Sequence, residues 1–288
     1  MPVYFEYALK VSICLAVVFL FYNLLLKRMT YYTWNRYFLL FFSTLSFIVP
    51  FINVTVFVQA QQTIPASIIN QVPSINSFEV IDEGATNPGA FSYWQVLFLI
   101  IVLVSFILIL RLIVQLVSIK NISSRAPLLS GGEVKIYQHP DPIIPFSFYN
   151  SIFINTTNYS SNEIAKIIDH ETVHVQQRHT IDVLMTEIIF ILNWYNPFAW
   201  LIKQAVRENL EFIADDAVIK NGIDKKNYQY LLLKVTGDVP SAITSSLKFS
   251  TLKNRIFMMN NVKDFTLSLA QICVAYSYDH FSFTGVQK

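Results

Sequence analysis

The sequence predicts an α-helical multi-pass membrane protein that also carries a mainly α, small α+β domain. Hydrophobic residues make up 53% of the 288 residues and charged residues only 14%, against about 25% charged in an ordinary soluble domain. Three apolar segments near the amino terminus each approach the roughly 20 residues that cross a bilayer core. After the third segment the composition becomes mixed, as in a globular domain.

The first two apolar segments predict a transmembrane helical hairpin within residues 1–58. They occupy residues 8–26 and 37–58, and Pro50 in the second is tolerated in a spanning helix as a kink. The third predicted transmembrane helix covers residues 93–117 and has the most continuous apolar character of the three. The lipid bilayer is therefore an expected partner of this chain.

Basic residues predict the orientation of these spans, because Lys and Arg near span ends collect on the cytoplasmic side. The segment between the first two spans carries three of them, namely Lys27, Arg28 and Arg36. Residues 37–110 contain neither Lys nor Arg. We therefore expect residues 59–92 to form an extracytoplasmic loop and the mixed region at 118–262 to face the cytoplasm.

Charge and cysteine content exclude several other classes of function. The formal net charge is only +2 and no basic cluster is interleaved with aromatic residues, so direct nucleic-acid binding is not expected. The two cysteines, Cys14 and Cys273, have no metal-binding or disulfide spacing. Any metal site must therefore be built from histidine and carboxylate side chains.

The mixed region begins with short strands and continues with helices. Two strands are predicted at residues 133–138 and 150–155, on either side of a turn-rich segment. A helix is predicted over residues 161–179, with Ser161 or Asn162 near its amino-terminal cap. The strands thus lie directly upstream of the histidine-rich helix.

Two later segments raise the question of a fourth span. Residues 183–202 are apolar, but their internal polar residues and the helix breaker Pro197 favour two helices lying against the membrane. The tail at 263–288 is weakly apolar and is interrupted by Asp279 and His280. This tail is a candidate for a degraded or truncated fourth span.

The stretch DHETVHVQQRHT, residues 169–180, contains an HExxH motif. Residues i and i+4 share one face of a helix, so His170 and His174 can bind one ion. Zinc accepts two imidazoles and one carboxylate and keeps a position for water. Glu171 can then act as general base toward that water and later protonate a leaving amine. The motif predicts metal-assisted peptide hydrolysis.

The third ligand has two candidate sources. A histidine ligand six residues after His174 is absent, since His179 comes five residues after it, and we interpret His179 as a surface or outer-sphere residue. A glutamate on a later helix is available at Glu211, and Asp215 lies four residues on, on the same helical face.

Asp215 can accept a hydrogen bond from the free ring nitrogen of a ligating histidine, most readily His170. Glu208 competes with Glu211 for the ligand role but has no aspartate four residues later. We therefore favour Glu211 as the ligand.

These motifs resemble the BlaR1/MecR1-type membrane zinc metallopeptidases of peptidase family M56 and, more distantly, the Ste24/HtpX-type M48 enzymes. The resemblance rests on the three apolar segments and on four stretches of sequence, PFSFYNSIFIN, IIDHETVHVQQRHTIDVL, NWYNPFAWLIKQAVRENLEFIADDAVI and LKNRIFMMN. It implies a zincin (gluzincin) protease domain with one Zn²⁺ per chain, held by His170, His174 and Glu211. It also implies that NSIFIN is an edge strand along which substrate can pair.

The resemblance further implies a signalling endopeptidase of the bacterial inner (cytoplasmic) membrane. Its expected substrate is a cytoplasmic or membrane-adjacent protein, such as a transcriptional repressor or the chain itself. A quality-control protease of the M48 kind and a non-catalytic membrane scaffold are the alternatives. The string Ser245-Ser246-Leu247-Lys248 matches the SxxK acylation motif of penicillin-binding domains, but we interpret it as coincidence. Tyr228 and Arg255 are open candidates for oxyanion stabilisation.

Overall fold

The structure, a computed structural model, describes four parts of the chain, residues 3–51, 93–141, 143–237 and 245–261. These parts are mainly helical and include one small mixed β-sheet. The predicted combination of helices with a small α+β part is therefore observed. The whole predicted outside loop (59–92), residues 52–58 of the second predicted span and the predicted tail lie outside the described residues.

Within the described residues, three α-helices precede the sheet. They are α1 (Val3–Phe21), continued by a π-helical turn (Tyr22–Leu26), then α2 (Tyr32–Leu45), followed by a 3₁₀ turn (Val49–Phe51), and α3 (Tyr93–Arg125). Among the described helices, Val3–Leu26 and α3 are long and apolar enough to cross a membrane, judged by length and composition. They coincide with the first and third predicted spans. Insertion in several passes stays a prediction.

The sheet contains four strands, β1 (Leu128–Gly131), β2 (Lys135–Gln138), β3 (Phe146–Phe148) and β4 (Ser151–Ile154). Their order is β1-β2-β4-β3, with β2 and β4 parallel and the two outer pairs antiparallel. Both predicted strands are present as β2 and β4. The expectation that residues 150–155 form an edge strand is wrong.

Burial explains why β4 lies inside the sheet. Ile152, Phe153 and Ile154 are completely inaccessible to solvent, so this strand has neighbours on both of its sides and packs its side chains into the core. A tight turn at Tyr149, whose φ is 52°, folds β3 back against β4. The exposed edge on that side of the sheet therefore belongs to β3.

In the part of the chain up to residue 261 that the structure describes, five helices follow the sheet, namely α4 (Ser161–Gln176), α5 (His179–Leu192), α6 (Pro197–Lys220), α7 (Lys225–Gly237) and α8 (Ser245–Asn260). A capping box begins α4, because the Ser160 hydroxyl accepts from the Glu163 N–H and the Glu163 carboxylate accepts from the Ser160 N–H. The cap lies one residue before the predicted positions.

Two interruptions between helices determine the structure of the region after α4. The predicted helix through residue 179 ends at Gln176, because Arg178 adopts a left-handed conformation with φ 55° and a new helix starts at His179. The apolar segment 183–202 is divided between α5 and α6. There Asn196 caps α6 through a bond from the Phe198 N–H, and Pro197 occupies its first turn. The predicted division into two helices is observed.

Helix α6 lies at the centre of the molecule. It packs against α1, α2, α4, α5 and α8, and half of its length is buried. The main core cluster joins Val11 and Leu15 of α1 and Leu39 of α2 to Ile202 and Val206 of α6. The amino-terminal helices therefore share one core with the helix that carries Glu211 and Asp215.

Candidate metal centre

Three side chains from two helices converge on one point. His170 and His174 lie one turn apart on α4, and Glu211 reaches them from α6. The two Nε2 atoms are 3.3 Å apart. Glu211 places Oε2 3.5 Å from His170 Nε2 and Oε1 3.8 Å from His174 Nε2. One candidate ligand atom from each residue lies within 4.8 Å of the others.

These separations fit a tetrahedral zinc ion. Zinc binds imidazole nitrogen at about 2.0–2.1 Å, so two ligands at the tetrahedral angle are roughly 3.3–3.5 Å apart. The three measured separations, 3.3, 3.5 and 3.8 Å, are close to that value. Two imidazoles and a carboxylate also leave one position for water, as in catalytic zinc sites. The predicted ligands therefore form a group that could hold a metal ion, and their individual roles stay predictions.

Glu171 follows the first histidine and is 7% exposed. It lines the same cavity as His174 and Glu211, and it is not one of the three grouped ligand residues. A carboxylate in this position can contact a water molecule held beside the group without itself being a ligand.

Glu208, the other candidate for the carboxylate ligand, contacts Asn254 and Lys27. Its carboxylate accepts a hydrogen bond from Asn254 Nδ2 and lies 3.9 Å from Lys27 Nζ, at the end of the first apolar helix. Glu208 is one turn before Glu211 on α6 and is buried. The geometry therefore favours Glu211 over Glu208 as the carboxylate of the metal group.

Asp215 reaches His170 through a tyrosine hydroxyl. The Tyr228 Oη is 2.8 Å from Asp215 Oδ1 and 2.8 Å from His170 Nδ1, whereas Asp215 Oδ1 is 3.5 Å from that nitrogen. Because the hydroxyl donates to the carboxylate, it accepts from the imidazole Nδ1–H. This chain of bonds leaves the Nε2 lone pair of His170 facing Glu211 and His174.

Arg255 on α8 binds both carboxylates of α6. Its Nε and Nη2 lie 2.8 and 2.6 Å from Asp215 Oδ2 and Oδ1, and its Nη1 lies 2.8 Å from Glu211 Oε2. Burial alone would raise the pKa of Glu211, but Arg255 and the two histidines together hold that pKa well below its ordinary value. Glu211 is therefore ionised and ready to bind a cation.

The positions of Tyr228 and Arg255 bear on the open question of oxyanion stabilisation. The hydroxyl of Tyr228 is committed to the nitrogen of His170 that points away from the ligand group. The guanidinium of Arg255 is committed to Asp215 and Glu211. Both residues therefore hold the candidate ligands by hydrogen bonds or ion pairs on the side away from the cavity or beside it. Local sequence spacing did not indicate this role.

His179 is buried beside the second histidine of the motif. It is 2% exposed, which rules out a surface position. Its Nδ1 lies 2.7 Å from His174 Nδ1, on the side of that ring opposite the Nε2 of the ligand group. Burial, with smaller contributions from His174 and Arg36, lowers the pKa of His179 to about 3. The imidazole is neutral at physiological pH.

A cavity of about 490 Å³ opens in front of the ligand group. Its walls combine Phe146 and Phe148 of β3 with Val183 and Leu184 of α5 and Leu210 of α6. The turn after β3 is tied to α5, since the Tyr149 N–H donates to Thr180 Oγ1 at 2.9 Å. The cleft is therefore bordered by β3 on one side and by apolar and polar side chains of α5 and α6 on the other.

Comparison with known proteins adds one finding. A protein-family model described as BlaR1 peptidase M56 matches residues 3–259, which include both apolar helices, the sheet and the metal group. A comparison with curated protein sequences gave no match. The side chains of residues 245–249, which include the SxxK string, lie outside the described part of the chain.

Proposed function

Since the chain belongs to the BlaR1 peptidase M56 family, a family of metallopeptidases, we propose that it is a membrane-embedded zinc-dependent endopeptidase. The observation that carries this proposal is the convergence of His170, His174 and Glu211 with separations of 3.3–3.8 Å. The buried acid Glu171 lines the cavity beside them.

We assign the zinc ligands to His170, His174 and Glu211. Zinc bound there supplies a Lewis acid that lowers the pKa of water and polarises the scissile carbonyl. Glu171 accepts the proton of the attacking water and delivers it to the leaving amine. Tyr228 and Arg255 keep the ligands in the protonation states that bind a cation, through the contacts described above. The reaction needs no covalent intermediate.

The strand edge of β3 is the natural place for substrate to bind. Phe146 and Phe148 line the cleft, and among the described strands β3 pairs with β4 alone. An extended peptide can add to such an edge through main-chain hydrogen bonds, while the cavity receives its alternate side chains. A disordered or unfolded segment meets this requirement, because its backbone is free to become extended.

The two apolar helices support placement in the inner membrane of a bacterium, with the protease domain in the cytoplasm. α3 has no buried residue, and its exposed side chains are apolar over most of its length. The distribution of Lys and Arg supports the orientation. In this arrangement the substrate is a cytoplasmic or membrane-adjacent protein, such as a transcriptional repressor or the chain itself, and cleavage serves signal transduction.

The test compares Glu171→Gln with the wild-type protein in detergent. The variant removes the base and keeps the three ligands, so we expect zinc content to be unchanged and cleavage to be lost. Cleavage is followed as self-cleavage and as hydrolysis of an unfolded protein. Glu163→Gln is the matched control, because this half-buried glutamate lies on the same helix away from the ligand group, and a capping box accepts Gln. Cleavage that survives in Glu171→Gln would refute the proposed mechanism.

A further inference from the structure

His179 carries a buried ring nitrogen that the proposed zinc chemistry does not use. Its Nε2 is buried without a hydrogen-bond partner among the described residues, and an unsatisfied buried N–H costs about 1–3 kcal/mol. The other nitrogen, Nδ1, is 2.7 Å from His174 Nδ1. Among the described residues, the contact with His174 is therefore the hydrogen bond that the His179 ring makes.

The chain reaches this position through a strained turn. Arg178, between α4 and α5, has φ 55°, a conformation that costs a non-glycine residue about 1–2 kcal/mol. Arg36 of α2 holds the turn from outside, since its Nη2 donates to the Gln177 carbonyl at 2.9 Å and its Nε lies 2.7 Å from Asp182 Oδ2. Without the reversal at Arg178, α4 would continue and carry His179 away from His174.

Proton positions follow from the contact between the two rings. A hydrogen bond between two nitrogens holds one proton, so one ring donates and the other accepts. When the Nε2 of His174 binds a metal, its Nδ1 carries the proton and donates it. The Nδ1 of His179 is then the acceptor, and the proton of His179 is on Nε2, the atom that the structure leaves without a partner among the residues it describes.

We propose that His179 is a positioning residue for the metal site, which fixes the tautomer and ring orientation of His174 by accepting a hydrogen bond from its Nδ1–H. The proposal rests on the proposed function, because it requires His174 to be a ligand. In this site each histidine has its own support, with Tyr228 and Asp215 behind His170 and His179 behind His174. Ligating histidines generally donate their second N–H to such a partner.

Two substitutions separate positioning from packing. His179→Leu removes the acceptor and fills the space with apolar atoms. His179→Asn keeps an acceptor, because Asn Oδ1 occupies the place of the imidazole Nδ1. We expect His179→Leu to weaken zinc binding about 10–100-fold and His179→Asn to retain affinity within a few-fold of the wild type. Zinc affinity is measured by competition with a chelator, and the visible spectrum of the cobalt-substituted protein reports the ligand geometry.

The metal-free proteins provide the second readout. A purely structural role predicts that His179→Leu lowers the thermal stability of the metal-free protein. Positioning predicts little net change, because the substitution removes the unpaired Nε2–H of His179 and leaves the Nδ1–H of His174 unpaired in its place. Equal zinc affinity in wild type and His179→Leu, or an equal loss in both variants, would overturn the proposal. A wild-type protein that binds no zinc would instead refute the proposed function on which it rests.

Discussion

Removing one hydroxyl group, by Tyr228→Phe, tests how the metal centre is supported. The Tyr228 side chain is 1% exposed, and its hydroxyl joins His170 Nδ1 to Asp215 Oδ1 with two contacts of 2.8 Å. Burial and the charge of Asp215 raise the pKa of Tyr228 far above its ordinary value, so the group stays a donor. Once the hydroxyl is removed, Asp215 Oδ1 stays 3.5 Å from that nitrogen, which is beyond a good hydrogen bond.

The size of the effect follows from these contacts. Loss of an outer-sphere partner weakens metal binding about 10–100-fold, which corresponds to about 1.4–2.8 kcal/mol. The metal-free protein also loses a hydrogen bond to a charged carboxylate, which contributes about 1.5–3 kcal/mol. Arg255 still binds Asp215, so this carboxylate is not left unpaired and the fold survives.

The assay is zinc affinity by chelator competition, with thermal unfolding of the metal-free protein as a second measurement. Tyr230→Phe is the control, because Tyr230 lies on the same helix and is 71% exposed. We expect it to change neither quantity. Wild-type zinc affinity in Tyr228→Phe would refute the inference that the hydroxyl orients His170.

Three further predictions concern charge and pH. Arg255→Met leaves the Asp215 and Glu211 carboxylates without their cation, so the metal-free protein should lose about 3–5 kcal/mol of stability. Zinc should restore part of that stability by neutralising Glu211. Thermal unfolding with and without zinc measures both quantities, and an equal loss of stability in the two conditions would contradict the prediction. Arg36→Met leaves Asp182, which is 5% exposed, without its 2.7 Å ion pair. The protein should lose a similar amount of stability, and in the same assay zinc should not restore it. Burial lowers the pKa of His170, but its contacts with Glu211 and Asp215 more than compensate, so in the metal-free protein the pKa is raised above 6.5. A raised pKa means that protons compete with zinc at higher pH, so zinc affinity should already be falling before the pH drops to 6.5. Zinc affinity that stays constant across neutral pH would show that the pKa of His170 is not raised.

Local spacing in the sequence was sufficient to predict part of the site. His170 and His174 share a face because four residues make about one helical turn, and Glu211 and Asp215 follow the same rule on α6. The strands at 133–138 and 150–155 and the break before Pro197 were also predictable from local composition. The structure contains β2, β4 and the α5–α6 break at these positions.

The remaining features depend on contacts between distant residues. Tyr228 and Arg255 meet Asp215 from 13 and 40 residues away, so no local periodicity indicates their position. The place of β4 inside the sheet depends on a parallel pairing with β2, which spacing along the chain does not determine. His179 was predicted at the surface or outside the ligand shell, and only the left-handed turn at Arg178 decides between these positions.

The most direct test of a zinc site built from His170, His174 and Glu211 is the metal content of the detergent-purified protein by elemental analysis. Wild type is compared with Glu211→Ala and Glu208→Ala. Glu208 is buried, Glu211 is half-buried, and the two lie one turn apart on the same helix. We expect one zinc per chain in the wild type, lost in Glu211→Ala and kept in Glu208→Ala. Zinc that is absent from the wild type after reconstitution, or that remains in Glu211→Ala, would contradict this expectation.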